Sequence, residues 1–270
     1  MKTKYSKLLI STIAAASIGS ACADLSSVFE VPVEFTILGR SGMTFTNSVV
    51  EGDVGVIPGG AFTQTDSSII GSLHVNGSAV TFTNSIVEGD VGADIAGPFT
   101  QTESIITGEV YPDDFAAQWG YDRFLSNYEV IKAEPATVDL TGQILSGKFL
   151  PPGVYSFDAA VTETDGLLTL VGSATDTWVF KVGTKGTGAL TGTGFTVVMA
   201  NEESSPANVI WWTAEAATLT DSKFIGSIYA GSSITVTRGS LNGKALAESA
   251  VTLTGTGIVG FNSNFGGEIQ

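Results

Sequence analysis

One twelve-residue segment occurs twice almost unchanged, and this repeat restricts the fold more than any other feature of the sequence. Residues 44–55 (TFTNSVVEGDVG) return as residues 81–92 with a single Val-to-Ile change. A weaker copy, Phe-Thr-Gln-Thr, stands at 62–65 and 99–102, so the true period is half as long. The shared Thr-x-Thr triplet begins at residues 44, 63, 81 and 100, and again every 17 residues at 218, 235 and 252. This period is too short for a pair of helices and suits one turn of a three-sided β-solenoid.

Alternation within the triplet predicts which side chains face solvent. Successive residues of a strand point to opposite faces of the sheet, and the middle residue is apolar in five of the seven triplets. We therefore expect the middle residue inside and both threonines outside. The exceptions are Gln64 and Gln101, which either point inward and bond to the backbone or mark a shifted register.

The segments between the triplets predict the other two sides of each turn. Glu51-Gly52-Asp53-Val54 and its repeats predict a second side that is acidic and mixed. Corners such as Pro58-Gly59-Gly60, where glycine permits a positive φ, predict the third side. Only the Thr-x-Thr side is expected to be uncharged.

One segment has helical rather than strand periodicity. Apolar residues recur at helical spacing from Ala117 to Ile131. Pro112 suits a first helical position and Pro135 closes the element, which predicts one amphipathic helix over about 112–132. Its length of about 31 Å is close to the height of seven stacked turns, about 34 Å. We therefore expect the helix to lie along the whole solenoid and to seal one side of its core.

Residues 1–23 are predicted to be a secretory signal. Three lysines precede an apolar run at 8–19, which is too short to span a bilayer, and Ala-Cys-Ala follows at 21–23. The alternative is lipoprotein cleavage before Cys22, but residues 19–21 lack the aliphatic residue that such a site needs. The sequence therefore predicts a secreted protein in which residues 24–270 form a single domain.

The charge of the mature chain restricts its partners. If cleavage follows Ala23, nine basic and 27 acidic residues remain, a net charge of −18. This charge argues against nucleic acid and against anionic membrane surfaces as partners. The only cysteine leaves with the signal, so we expect no disulfide and a fold stabilised by packing and backbone pairing.

Five segments follow the helix in a fixed order, and together with residues 51–55 they resemble the microbial ice-binding protein family. The five segments are Leu150–Phe157, Leu168–Val182, Asn208–Trp212, Phe224–Ala230 and Asn242–Ala247. The resemblance covers about residues 28–260. It implies a mainly β, discontinuous, right-handed, three-sided β-solenoid with a helix alongside, in which N-terminal turns stack on C-terminal turns. This chain differs from the family pattern in an additional pair of N-terminal turns and in a more regular threonine repeat.

Stacked triplets of this kind provide a chemistry suited to ice. Threonines of one triplet are about 6.6 to 7 Å apart along the strand, and successive turns repeat them about 4.8 Å apart. Threonine is stiff at χ1, so such a grid loses little entropy on binding and can hold water near the oxygen positions of certain ice planes. We therefore expect the ice-binding residues to be Thr44, Thr46, Thr63, Thr65, Thr81, Thr83, Thr100, Thr102, Thr218, Thr220, Thr235, Thr237, Thr252 and Thr254.

Other readings of the sequence remain open. Glu51 with Asp53, and Glu88 with Asp90, could bind calcium or could form a solvated, solubilising face. Paired carboxylates also suggest glycoside hydrolysis, but the chain has three arginines in all and no dense cluster of Asp with Lys or Arg. We expect no metal, no cofactor and no catalytic residue, and a monomer whose partner is ice. The alternatives are a secreted β-solenoid adhesin or carbohydrate-binding protein, and a polysaccharide lyase or hydrolase.

Overall fold

The structure, a computed structural model, describes residues 34–112, 115–201 and 205–261. The predicted signal at 1–23 and the start of the predicted domain at 24–33 lie outside the described residues. Both therefore stay predictions.

The chain forms short strands that follow one another around a triangle. The first thirteen are β1 (Ile37–Gly39), β2 (Gly42–Thr46), β3 (Val49–Glu51), β4 (Val54–Val56), β5 (Ala61–Thr65), β6 (Ser68–Ile70), β7 (Leu73–Gly77), β8 (Ala79–Thr83), β9 (Ile86–Val87), β10 (Val91–Ile95), β11 (Phe99–Thr102), β12 (Ile105–Ile106) and β13 (Val110–Tyr111). Helix α1 (Ala116–Ala133) follows.

Seventeen strands follow the helix. They are β14 (Val138–Asp139), β15 (Phe149–Leu150), β16 (Gly153–Phe157), β17 (Val161–Thr164), β18 (Leu167–Leu170), β19 (Trp178–Val182), β20 (Leu190–Thr193), β21 (Thr196–Met199), β22 (Val209–Thr213), β23 (Ala217–Thr220), β24 (Lys223–Ile225), β25 (Ser227–Ala230), β26 (Ile234–Thr237), β27 (Ser240–Asn242), β28 (Ala245–Ala247), β29 (Ala250–Thr254) and β30 (Gly257–Val259). A one-turn 3-10 helix at Pro206–Asn208 precedes β22.

The strands form three parallel sheets, one for each side of the triangle. Sheet A has the order β13-β10-β7-β4-β1-β28-β25-β22-β19-β16-β14. Sheet B has the order β11-β8-β5-β2-β29-β26-β23-β20-β17, and sheet C the order β12-β9-β6-β3-β30-β27-β24-β21-β18-β15. Each complete turn contributes one strand to each sheet, so the predicted three-sided β-solenoid is confirmed.

The chain enters this stack in its middle rather than at an end. Strand β1 pairs with β4 on one side and with β28 on the other, and β2 and β3 lie in the same way next to β29 and β30. The first turns therefore run outward to β13, helix α1 returns along the stack, and β14 to β30 run back to the middle. The predicted discontinuity, in which N-terminal turns stack on C-terminal turns, is confirmed.

Apolar side chains from all three sheets fill the interior. Neighbouring turns place aromatic rings at equivalent positions, and the rings of Phe45 and Phe62 are 5.3 Å apart while those of Phe180 and Trp211 stack at 4.0 Å. Burying each such side chain contributes about 1.5–3 kcal/mol. The repeated turn thus stabilises itself through identical contacts along the stack.

The helix begins and ends later than its sequence pattern predicted. It starts at Ala116 rather than Pro112, after Phe115 at the N-cap position, and ends at Ala133. Eighteen residues span about 27 Å, whereas eleven strands span about 48 Å. The expectation that the helix lies along the whole solenoid is therefore wrong, because the stack has more turns than the seven Thr-x-Thr triplets indicated.

The helix covers the outside of sheet A instead of sealing the core. Its buried residues, among them Phe124 and Tyr128, pack on outward-facing side chains of the sheet such as Trp212 and Tyr229. These residues form a second apolar cluster, separate from the core that the three sheets enclose. Lys181 fixes the end of the helix, since its Nζ donates to the carbonyl oxygens of Lys132 at 2.7 Å and Glu134 at 2.5 Å.

Alkaline pH should loosen this helix–sheet contact. Burial raises the pKa of Tyr229 from 10.0 to about 12 and also raises the pKa of Tyr128 and Tyr121. A raised pKa stabilises the folded state below the unfolded value of 10.0, and this stabilisation is lost as pH rises to about 12. We expect the free energy of unfolding, measured by urea titration, to fall through this window. Tyr229→Phe should flatten the dependence, and a constant unfolding midpoint for the unmodified protein would contradict this account.

Candidate functional site

The fourteen predicted threonines lie together on the outer face of sheet B. The first threonine of each triplet forms one column, in the order Thr100, Thr81, Thr63, Thr44, Thr252, Thr235, Thr218. The second threonine forms a parallel column, in the order Thr102, Thr83, Thr65, Thr46, Thr254, Thr237, Thr220. None of these threonines is buried. Residues more than a hundred positions apart in the sequence thus share one surface.

Two further triplets extend both columns, and the sequence analysis missed them. Thr162 pairs with Thr191, which pairs with Thr218, and Thr164 and Thr193 do the same in the second column. Their turns are longer, with 29 residues from 162 to 191 and 27 from there to 218, and their middle residues are Glu163 and Gly192 rather than apolar. The Thr-x-Thr triplet itself was the available signal. We call the resulting nine rows of two threonines the threonine array.

A column of small residues flanks the array on the side of the first threonine. Gly42 pairs with Ala250, and Ala61 pairs with Ala79. The same position in every row, two residues before the first threonine, holds only small residues or proline, namely Gly42, Ala61, Ala79, Pro98, Ala160, Ala189, Ala216, Ser233 and Ala250. No side chain in these nine rows stands higher than threonine, so the face is level and uncharged across three columns.

The two triplets with a central glutamine keep the common register. Gln64 lies between Phe45 and Phe82, points inward and is fully buried. Its Nε2 donates to the carbonyl oxygens of Ser67 at 2.8 Å and Ile86 at 3.2 Å. Gln101 donates in the same way to Ser104, at 2.7 Å. Of the two possibilities that the sequence left open, the inward glutamine bonded to backbone is therefore the one observed.

The missed row at Thr162 has a buried carboxylate beneath it. Glu163 accepts hydrogen bonds from the backbone N–H groups of Leu145 at 2.6 Å and Ser146 at 3.2 Å. These two residues belong to the loop 140–148, which crosses the end of the stack between β14 and β15 and buries Leu145 in the core. Glu163 thus fastens the loop that caps this end of the solenoid.

Removal of this carboxylate should loosen the cap. In Glu163→Ala the buried N–H of Leu145 loses its acceptor, which costs about 1–3 kcal/mol. Urea unfolding should show this loss, and hydrogen exchange at Leu145 should accelerate. Glu163→Gln retains one acceptor oxygen and serves as the matched control, with a smaller effect expected. Equal stability of all three proteins would show that these hydrogen bonds do not hold the cap.

Charged side chains begin at the corner that borders the second threonine column. The residue after each second threonine has a positive φ, which bends the chain from sheet B towards sheet C; these residues are Asn47, Asp66, Asn84, Glu103, Asp165, Gly194, Asp221, Arg238 and Gly255. Across neighbouring turns, Arg238 donates to both carboxylate oxygens of Asp221, at 2.9 and 2.8 Å. This bond lowers the pKa of Asp221 from its ordinary value. The charges therefore line the edge of the array and do not enter it.

The predicted acidic side is a corner rather than a face. Glu51 ends a strand of sheet C, and Val54 begins a strand of sheet A. The corner residue Asp53 accepts the N–H of Ser72 at 2.7 Å, and Asp90 accepts that of Glu109 at 2.8 Å. These two carboxylates cap the backbone, and within the described ranges no three His, Cys, Asp or Glu side chains are grouped to hold a metal ion.

The sheet topology also corrects the predicted third side. Sheet C forms it, with strands such as Val49–Glu51 and Ser68–Ile70. The glycine-rich residues 58–60 form a corner between sheets A and B. The interpretation was wrong because turn residues stand out in the sequence more clearly than three-residue strands do.

The fold and this face define a class of protein, a three-sided β-solenoid that presents one level, uncharged, threonine-rich surface. A family model described as ice-binding-like matches residues 37–259. The chain belongs to this family. Helices of the described residues are too short or too polar to cross a membrane.

Individual relatives agree with the family assignment. An ice-binding protein of Flavobacterium frigoris (strain PS1) is 33% identical over 125 residues, which cover 45% of this chain and 43% of the relative. One of Nostoc sp. (strain HG1) is 37% identical over 148 residues, 52% of each chain. The matched part thus spans about half the length of these relatives.

Solved structures extend the likeness over most of the fold. The crystal structure of an ice-binding protein from the Antarctic ascomycete Antarctomyces psychrotrophicus has a TM-score of 0.60 and 25% identity, and the match covers 84% of this chain and 94% of that one. The ice-binding protein_1 DUF3494 domain of Shewanella frigidimarina, at 19% identity, has a TM-score of 0.58 and covers 85% and 95% of the two chains. At that identity the second match shows the fold alone.

Proposed function

We propose that this protein adsorbs to ice through the threonine array and thereby inhibits ice growth and recrystallisation. The observation that carries the proposal is the unbroken register of the array over nine rows, including the junction where Thr44 pairs with Thr252 and Thr46 with Thr254. Relatives named ice-binding proteins in two bacteria and two fungi support it.

The dimensions of the array suit a crystal surface. Nine rows at about 4.8 Å extend for about 38 Å, and the two columns are about 6.6 to 7 Å apart. Each threonine adds one hydroxyl, which can anchor a water molecule, and one methyl group, which limits where water lies. Because the parallel sheet fixes the backbone and threonine is stiff at χ1, the array meets ice without first having to become ordered.

The same surface favours a role without catalysis. A catalytic site gathers acid, base or nucleophilic groups in a concave pocket, whereas this face is level and its columns carry hydroxyl and small apolar groups. We propose an exported monomer whose residues 24–270 form one ice-binding domain, with 1–23 as its signal. Its expected net charge of −18 opposes binding to nucleic acid and to anionic membranes.

A bulky side chain within the array should abolish close contact with ice. In Thr83→Tyr, near the centre of the N-terminal rows, the ring would lift neighbouring threonines from the surface, and a gap of about 1 Å already forfeits much of the dispersion attraction. Thermal hysteresis and inhibition of recrystallisation should both fall several-fold.

Thr191→Tyr tests whether the array extends to the rows at 162 and 191, and it should reduce both activities in the same way. The matched control is Ser240→Tyr, which places the same ring on the outer face of sheet C. Retained activity in Thr83→Tyr would refute the array as the binding face. Retained activity in Thr191→Tyr alone would limit the face to the other seven rows.

Partition into ice separates this function from the alternatives. The chain 24–270 should enter a slowly growing ice hemisphere, and an inert protein of similar size should stay in the liquid. Exclusion of the chain would overturn the proposal. Sugar-binding screens and reducing-end assays then address a carbohydrate-binding protein and a polysaccharide lyase or hydrolase.

A further inference from the structure

A row of buried hydroxyl groups lies directly behind the second threonine column. Serine stands two residues after the second threonine in five rows, and its Oγ donates to the carbonyl oxygen of that threonine. The five bonds are Ser48 to Thr46 (2.8 Å), Ser67 to Thr65 (2.7 Å), Ser85 to Thr83 (2.8 Å), Ser104 to Thr102 (2.8 Å) and Ser222 to Thr220 (3.0 Å). Each hydroxyl thus holds the peptide group of an array threonine.

The same hydroxyls connect neighbouring turns. The Oγ of Ser104 accepts the N–H of Ser85 at 3.0 Å, that of Ser85 accepts Ser67 at 3.4 Å, and that of Ser67 accepts Ser48 at 3.0 Å. The Oγ of Ser48 accepts the N–H of Thr256 at 3.3 Å, which carries the series across the junction between the two halves of the chain. We call Ser104, Ser85, Ser67, Ser48 and Thr256 the serine ladder.

The two inward glutamines fasten the ladder from below. Gln64 donates to the carbonyl oxygen of Ser67, and Gln101 donates to that of Ser104. These are the two rows whose triplets lack an apolar middle residue. The polar substitutions thus add hydrogen bonds at the ladder, although they remove apolar contacts from the core.

The second column needs such support more than the first. Every second-column threonine is the last residue of its strand, whereas every first-column threonine is inside its strand. The next residue is left-handed, with φ near 49° at Asn47 and Asp66, a conformation that costs an L-residue about 1–2 kcal/mol. Without a bond that fixes the carbonyl before this bend, the last threonine is free to tilt.

We propose, on the basis of the function proposed above, that the serine ladder positions the second threonine column for ice. By holding each terminal peptide between its own hydroxyl and the next turn, the ladder keeps this column level with the first. The serines do not touch ice. They set the spacing and tilt of the threonines that do, and so they determine which ice planes the array matches.

The double variant Ser67→Ala/Ser85→Ala tests this role. It removes the hydroxyls behind Thr65 and Thr83 and leaves both threonines in place. Hydrogen exchange should accelerate at the amides of Ser48 and Ser67, which lose their acceptors. Thermal hysteresis should fall by at least about twofold, because the loosened threonines must be ordered on binding. The planes that a fluorescently labelled protein decorates on a single-crystal ice hemisphere should also change, which a loss of stability alone would not produce.

Two matched variants complete the experiment. Ser68→Ala removes the neighbouring hydroxyl, which lies on the outer side of sheet C, and should retain full activity. Ser67→Thr/Ser85→Thr keeps both hydroxyls and should restore the plane pattern, since Thr256 already occupies this position of the turn. If the alanine double variant does not fold, Ser104→Ala at the outer turn removes one ladder hydroxyl and should show the same effects locally.

The outcomes separate the two proposals. A folded alanine double variant with unchanged hysteresis and unchanged ice planes would overturn the positioning role, and so would an equal loss in Ser68→Ala. Neither result would affect the threonine array, which fails only if Thr83→Tyr keeps its activity.

Discussion

Parallel pairing between the first turn and the last turn holds this molecule together as one surface. Strands β1, β2 and β3 lie in register with β28, β29 and β30, and each sheet continues across the junction without a shift. Hydrogen bonds such as that from the N–H of Ala245 to the carbonyl oxygen of Thr36, at 2.8 Å, seal it. A shift by one residue would turn the threonines of one half into the core, and the chain would carry two short arrays in place of one long one.

The fold was predictable because a strict repeat combines two periods in the same residues. Alternation placed Phe45 inside with Thr44 and Thr46 outside, and the spacing of 17 to 19 residues set the size of the turn. The stacking of distant triplets came from the resemblance to a known family and not from spacing. The rows at Thr162 and Thr191 escaped notice because long turns hide the period and because Glu163 and Gly192 replace the apolar middle residue. The reason for Glu163 lies in a loop that the repeat does not describe.

Other features were hidden because their partners lie in another turn. The Ser that follows each Asn or Asp in the N-terminal rows is visible in the sequence, but its acceptor and donor belong to different turns. The length of the helix relative to the stack likewise depended on how many strands the sheet contains, which the triplets alone underestimated. In the same way, Asp53 and Asp90 resemble metal ligands in the sequence, whereas in the structure they bond to backbone N–H groups of the adjacent turn.

The position of β1 in the middle of the stack has a consequence for biosynthesis. The contact between Ser48 and Thr256 spans 208 residues, and closing such distant contacts is slow compared with forming local ones. As the polypeptide leaves the ribosome, its first four turns can coil while the edge of β1, β2 and β3 still awaits its neighbours. An open parallel edge invites pairing with other chains. The last thirty or so residues to be synthesised therefore both complete the surface and protect the newborn molecule from self-association.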